Sequence, residues 1–358
     1  MIHAQAPMRI LKQTIHQTDP WNAFGDKTFS DFVNRRCSHL VLTMANDIRT
    51  NRGGVPQAQS LTAKIDEFDV PVVIFGLGVR APSNDLNEVW LAPETISLLQ
   101  YLERRCGPIG VRGAFTESVF RKCAGLTDVV VTGCPSFFSA PAAFRELRTN
   151  LSSPKPGVHS FAATRYERTE DLALFARTVS EGGFYIEATN EHNHAAHVQA
   201  MRGERVDVPD FMRQVFHEDA ASQKFRREKP TTSGFTRTQL EEFYRSRYRL
   251  FRHPEEWTQF NREVISFSYG TRFHVNMAAL LAGIPATWIT HDTRTLEFCA
   301  LLGLPHVDLA DSTDMSVEDF RAAADFELMF ERLPALFANW ADYLQAHGLE
   351  YSVPTDLI

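Results

Sequence analysis

One stretch gathers the residues best suited to chemistry, Ser266-Phe-Ser-Tyr-Gly-Thr-Arg-Phe-His-Val-Asn-Met-Ala-Ala-Leu-Leu-Ala-Gly-Ile-Pro285. An apolar, β-rich run ends at Gly270. Thr271, Arg272 and His274 then occupy a turn and the first residues of a helix. That helix presents Met277, Ala278, Leu280 and Leu281 for burial and stops at Gly283, before Pro285. The first turn of a helix leaves backbone N–H groups without intrahelical partners, and the dipole makes that end positive. The turn from Gly270 through Phe273 is therefore an anion site before any side chain is counted. Arg272 adds a planar fork that matches a carboxylate or phosphate. His274 can donate to the same anion or move a proton near neutral pH. The plainer reading is a basic pair answering an acidic neighbour. A position between a strand end and a tightly packed, Ala-rich helix favours the functional one.

Other groups carry weaker signals. Arg112 ends a strand, with Gly113, Thr116 and Glu117 opening the next helix; it reads either as a strand-end or interdomain ion pair or as a cleft residue. The thiol in Gly133-Cys-Pro-Ser136 invites a nucleophile reading, but no histidine is near it in sequence, and the turn reads as structural or substrate-shaping. Gly76-Leu-Gly78 lacks the third glycine of a dinucleotide fingerprint. In Glu187-Ala-Thr-Asn-Glu-His-Asn-His-Ala-Ala-His197 the histidines suggest a metal, but three or four converging ligands are needed and the spacing alone does not supply them. No metal site is expected. Glu187, at a strand end, is a candidate for acceptor binding or a base. His291 and Asp292 also follow a strand. Asp292 suits the N-cap of the next helix, and both suit a cleft beside the anion site.

These residues need elements to hold them. Apolar runs at 39–45, 71–75, 108–111 and 128–132 alternate with helical patterns at 94–105 and 115–124. After the Pro- and Ser-rich stretch Leu151-Ser-Ser-Pro-Lys-Pro-Gly157, strands are expected at 158–164, 183–188, 264–268 and 286–290, with helices at 170–180, 273–282 and 293–302. Residues 191–262 read as polar and helical, their basic runs as solvated faces. Residues 320–347 read as one long helix. Strands that are apolar throughout and separated by helices argue for parallel sheets covered on both faces. The expected fold is α/β: two Rossmann-like domains facing a cleft, as in GT-B-like enzymes. Residues 1–150 form the acceptor side. Residues 151–358 carry the anion site, and the last helix packs back on the N-terminal domain.

With 44% apolar and 23% charged residues, the chain has the balance of a globular protein, and 358 residues suit two domains. A net charge of −7 argues against a nucleic-acid surface. Five cysteines without a Cys-x-x-Cys point to a reducing compartment, and no apolar run is long enough to span a bilayer. A cytoplasmic protein is the expectation.

Four segments in order resemble the polysaccharide pyruvyl transferase family: Val73-Ile-Phe-Gly-Leu-Gly78; Ile109-Gly-Val-Arg-Gly-Ala-Phe-Thr-Glu-Ser118, followed by Val131-Thr-Gly-Cys-Pro-Ser-Phe137; Gly270-Thr-Arg-Phe-His through Pro285; and Ile289-Thr-His-Asp-Thr-Arg-Thr-Leu-Glu297. The resemblance implies phosphoenolpyruvate as donor, gripped by the Arg-x-His motif. Arg272 and His274 become donor ligands and the catalytic pair, with Gly270, Thr271 and Phe273 around them. It also implies a second arginine near the first strand of the C-terminal domain, here Arg165 in Phe161-Ala-Ala-Thr-Arg165, with Arg168 as a spare. The family's N-terminal Gly-Asp corresponds to Gly25-Asp26. The acceptor implied is a saccharide or lipid-linked saccharide, which leaves room for peripheral contact with a membrane. Phosphoenolpyruvate is a substrate, and no cofactor is implied. The general base is open among Glu187, Asp26 and Asp292. Two alternatives stand beside this reading, a GT-B-like glycosyltransferase using a nucleotide sugar and a non-catalytic binding protein of the same fold.

Overall fold

A computed structural model describes residues 28–44, 48–51, 58–163, 168–187, 191–208, 212, 215, 235–251 and 253–351. The chain divides into two compact units. The first combines Met1–Ser139 with Asp292–Gly303 and Glu327–Ile358, and the second combines Ala140–His291 with Leu304–Phe326.

In the first unit the strands are β1 (Leu40–Thr43), β2 (Ile48–Arg49), β3 (Val72–Phe75), β4 (Val79–Arg80), β5 (Ile109–Val111) and β6 (Val129–Val131). β1 pairs with β3, β2 with β4 and β5 with β6, all parallel. The chain beyond β3 joins β5 through a parallel bridge between Leu77 and Val111. All four residues of β3 and all three of β5 are buried. The helix Pro93–Cys106 turns Leu98, Leu99 and Leu102 onto them, starts with proline in its first turn and ends at Gly107, whose φ of 73° a side chain would strain. The helix Glu327–Ala346 supplies much of the remaining core. Trp340 stacks on Phe138 at 4.8 Å, and the Tyr343 hydroxyl donates to Ile74 O while accepting from Gly110 N.

The second unit holds one six-stranded parallel sheet made of β7 (Val158–Ala162), β8 (Phe184–Glu187), β9 (Tyr248–Leu250), β10 (Ile265–Gly270), β11 (Ala286–Thr290) and β12 (His306–Asp308). Their order across the sheet is β12-β11-β10-β7-β8-β9. From β7 the chain first builds outward through β8 and β9, then returns to the other side of β7 with β10. This is the doubly wound order, and the reversal falls between β7 and β10. In such sheets the crevice beyond the carboxyl ends of those two strands is where helices and loops part, leaving room for a ligand. Tyr185, Phe161, Phe175 and Tyr269 form the aromatic centre of this unit's core.

The chain is thus an α/β protein with two Rossmann-like units, as expected. Three details differ from the sequence reading. β9 lies inside the segment read as polar and helical, where Arg247 and Arg249 lie over the Phe184 ring at 4.8 and 5.1 Å rather than standing in solvent. β12 is an additional edge strand. β10 ends at Gly270, where the β-rich run was expected to end. The expected long terminal helix is two helices, Val317–Ala322 and Glu327–Ala346, the first opened by a capping box between Ser316 and Asp319. Among the described residues, no helix is long and apolar enough to cross a membrane.

Candidate active site

The turn at the switch point is built from backbone upward. Gly270, the last residue of β10, sits at φ 141° and pairs in register with Ala162, the last residue of β7. A Cβ on Gly270 would lie 2.3 Å from the Ala162 carbonyl oxygen, so only glycine lets the two strand ends close this tightly. The next contact follows at once: Arg272 N donates to Ala162 O at 3.2 Å. The helix Phe273–Leu280 then begins with Arg272 as N-cap and no side-chain cap, directly after the carboxyl end of β10.

Buried polar groups fix this turn from below. Asn276, fully buried, donates through Nδ2 to Gly270 O at 3.0 Å and accepts from the Ser268 hydroxyl at 2.9 Å. Ser160 of β7 donates to that same hydroxyl at 3.1 Å, so one network crosses from β7 through β10 into the helix. Trp288 of β11 donates its indole N–H to Phe273 O at 3.1 Å. Phe273 is buried, Arg272 half-buried and His274 exposed. The backbone of the turn is thereby held by buried partners, and Arg272 and His274 are its less buried residues. Thr271, buried, donates its hydroxyl to Asp171 Oδ1 at 2.6 Å. Asp171 lies in the first turn of the helix Thr169–Ser180, which follows β7, and its Oδ2 is 3.5 Å from Arg168 Nε.

The other sequence candidates fall elsewhere or lie outside the described residues. Asp26 and Arg165 are outside them. Glu187 is buried at the end of β8, where its Oε2 accepts from Asn193 Nδ2 at 2.9 Å, and Asn193 in turn accepts from the Tyr244 hydroxyl. His197 donates through Nδ1 to the Tyr244 carbonyl at 2.7 Å, and His194 is exposed. Among the described residues, no three His, Cys, Asp or Glu side chains converge to hold a metal. Asp292 caps the helix Thr293–Leu302, accepting from Thr295 N and Thr295 Oγ1 at 2.8 Å each. His291 is half-buried after β11.

Arg112 is fully enclosed within the first unit. Its Nε lies 3.3 Å from Glu297 Oε2, and its Nη2 donates to Val79 O. Glu297 also accepts from Thr116 N and Thr116 Oγ1. Gly78 leaves room for the guanidinium, since a Cβ there would sit 2.0 Å from Arg112 Cζ. Burial pushes Arg112 down to about 10, against the upward pull of Glu297. Burial likewise pushes the Glu297 carboxyl up, against Thr116 and Arg112. A pair enclosed in this way holds the end of β5 to the helix carrying Glu297, which is the ion-pair reading of Arg112. Cys134 is buried with its Sγ 2.8 Å from Ser136 Oγ, and burial raises its thiol, which keeps it a poor nucleophile.

Sequence reading missed Asp171 and passed over Asn276. An acid in a first helical turn is ordinary and gave no signal. Asn276 did offer one, because a lone amide amid Phe273, Val275, Met277, Ala279 and Leu280 must be paired when buried.

Comparison with curated proteins gives no match. Among solved structures, two of UDP-GlcNAc 2-epimerase from Methanocaldococcus jannaschii are similar. The one in complex with UDP-GlcNAc and UDP is 10% identical, spans 83% of this chain and 72% of that chain, and has a TM-score of 0.41. The other is 10% identical, spans 82% and 70%, and has a TM-score of 0.39. A family model does match, that of polysaccharide pyruvyl transferase, over residues 9–293. That span takes in the glycine turn after β3, the Arg112 segment and the whole Gly270–His274 turn with the helix and strand that brace it. The chain belongs to the polysaccharide pyruvyl transferase family.

Proposed function

We propose that this protein transfers the pyruvyl group of phosphoenolpyruvate to a saccharide, closing a pyruvate ketal across two of its hydroxyls. The acceptor is a cell-surface or exported polysaccharide, or its lipid-linked precursor, and the reaction is cytoplasmic. One observation carries the reading: an arginine and a histidine stand on a rigid, positively polarised turn at the switch point of a parallel sheet. Phosphoenolpyruvate brings two anionic groups joined by a short, planar linkage, and the turn offers backbone N–H groups, a guanidinium and an imidazole to meet them.

The chemistry assigns these groups their work. A sugar hydroxyl adds its oxygen to C2 of the donor and gives its proton to a base, while C3 takes a proton and becomes a methyl group. The C2–O bond to phosphate then breaks and inorganic phosphate leaves. The carboxylate-bearing oxocarbenium centre is captured by a second hydroxyl, which loses its proton, and the ketal closes. Arg272 holds negative charge through these steps, a task that preorganised cations perform well in a partly desolvated site. His274 delivers the proton to C3 or holds the departing phosphate. Arg165 remains the candidate for a second cation. Glu187, Asp26 and Asp292 remain the candidates for a base, although Glu187 and Asp292 already hold structural hydrogen bonds.

Arg272→Ala is expected to lower donor turnover by about 10²-fold or more while leaving the circular dichroism spectrum intact. Near-normal turnover in a folded variant would overturn the assignment. Ligand-shift melting separates the donor classes, with phosphoenolpyruvate raising the melting temperature and nucleotide sugars leaving it unchanged.

A further inference from the structure

The loops after β7 and β10 come from distant parts of the sequence, yet a ligand at the switch point must be met by both. The Gly270–Ala162 contact brings the strand ends together but does not orient the side chains that follow. Asp171 is placed to do that. It is fully buried, with one carboxylate oxygen on Thr271 and the other near Arg168. Oδ1 accepts from the hydroxyl of Thr271, the residue immediately before Arg272. Oδ2 lies 3.5 Å from Nε of Arg168, the N-cap of the helix that follows β7, whose side chain is only 20% exposed.

We propose that Asp171 is a positioning residue for the donor: it ties the start of the helix Thr169–Ser180 to the β10 turn and holds the peptide that carries Arg272. The proposal rests on the reading that this turn holds phosphoenolpyruvate. A carboxylate this close to an anion site would repel the ligand if it stood in the first layer of contacts. Set behind the turn, it has one oxygen turned to a hydroxyl and the other to a guanidinium. It thereby acts as an orienting partner does behind a ligating side chain, fixing direction without meeting the ligand. The 2.6 Å contact from Thr271 is short, as a hydroxyl-to-carboxylate hydrogen bond is. Losing it frees the peptide that carries Arg272, and misplacement of a charge-bearing group by about 1 Å can cost on the order of 10²-fold in rate.

Three substitutions test this: Thr271→Val removes the hydroxyl at constant volume, Thr271→Ser keeps it, and Asp171→Asn removes the charge that faces Arg168 while keeping an acceptor for Thr271. Melting in increasing phosphoenolpyruvate, and the donor KM with kcat recorded separately, are the readouts. Thr271→Val and Asp171→Asn are expected to weaken the donor by about tenfold or more, with Thr271→Ser staying near wild type. A purely structural role would lower the melting temperature of Thr271→Val and leave its donor KM alone, and that result overturns the inference. So does a Thr271→Ser variant as weak as Thr271→Val. If Asp171→Asn does not fold, the two Thr271 variants decide. If the wild-type protein shows no melting shift with phosphoenolpyruvate, the donor reading itself falls, and the inference with it. A wild-type shift matched by Thr271→Val sinks only the inference.

Discussion

At the scale of single residues, one buried titratable group is His159, on β7. Its side chain is 12% exposed, lies 4.0 Å from Glu181 Oε2, and has Gly183 where a Cβ would sit 2.2 Å from its Nε2. Burial pushes the imidazole down to about 4, and the positive charges of Arg321 and Arg247 push in the same direction. The folded protein therefore resists a proton that the unfolded chain, with an ordinary histidine, accepts at higher pH. Stability from the neutral ring is fully present above about pH 6.5 and is lost as the pH falls toward about 4, by on the order of 3 kcal/mol in all. His159→Gln should flatten this loss: between pH 7 and 4.5 the variant's melting temperature falls less than that of the wild type. Parallel pH profiles would contradict the account.

At the scale of elements, the junction of β7 and β10 is decided by Gly270. Gly270→Ala places a Cβ against the Ala162 carbonyl and strains φ 141°, so the strand ends must part. The expected cost is about 3 kcal/mol of stability, with the donor melting shift lost as well. A folded Gly270→Ala with an unchanged shift would show that the tight closure is dispensable. The same elements show how far sequence patterns reach. Val72–Phe75, Ile109–Val111 and Ala286–Thr290 were legible because a buried parallel strand is apolar along its whole length. β9 and β12 were not, since Tyr248-Arg-Leu250 and His306-Val-Asp308 are three-residue edge strands that mix polar with apolar residues and bury only Tyr248. At the Gly270–His274 turn the Arg272 and His274 spacing was visible, because helix starts have a local signature. The clamp was not, because Asp171 and Thr271 meet only after the sheet reverses its winding order.

At the scale of the whole molecule, the chain does not fill its two units in sequence order. The helix Glu327–Ala346 belongs to the first unit, where Trp340 lies 5.0 Å from Phe75 and stacks on Phe138. Trp340 is fully buried, so Trp340→Ala should destabilise that unit by about 3–5 kcal/mol. Hydrogen exchange locates the damage: β3 and β5 should lose protection, while β7 and β10 keep theirs. Loss of protection spread evenly over both sheets would mean that the units do not respond separately to a core defect.

The placement of that helix has a consequence for synthesis on the ribosome. The segment bearing β1 through β6 emerges early, yet a buried tryptophan and the tyrosine that joins β3 to β5 are translated far later. The second unit's sheet has its last strand once His306–Asp308 has been made, so the part of the protein begun first is finished last. During elongation the apolar strands Val72–Phe75 and Ile109–Val111 have the helix Pro93–Cys106 against them, but their partners Trp340 and Tyr343 are not yet made.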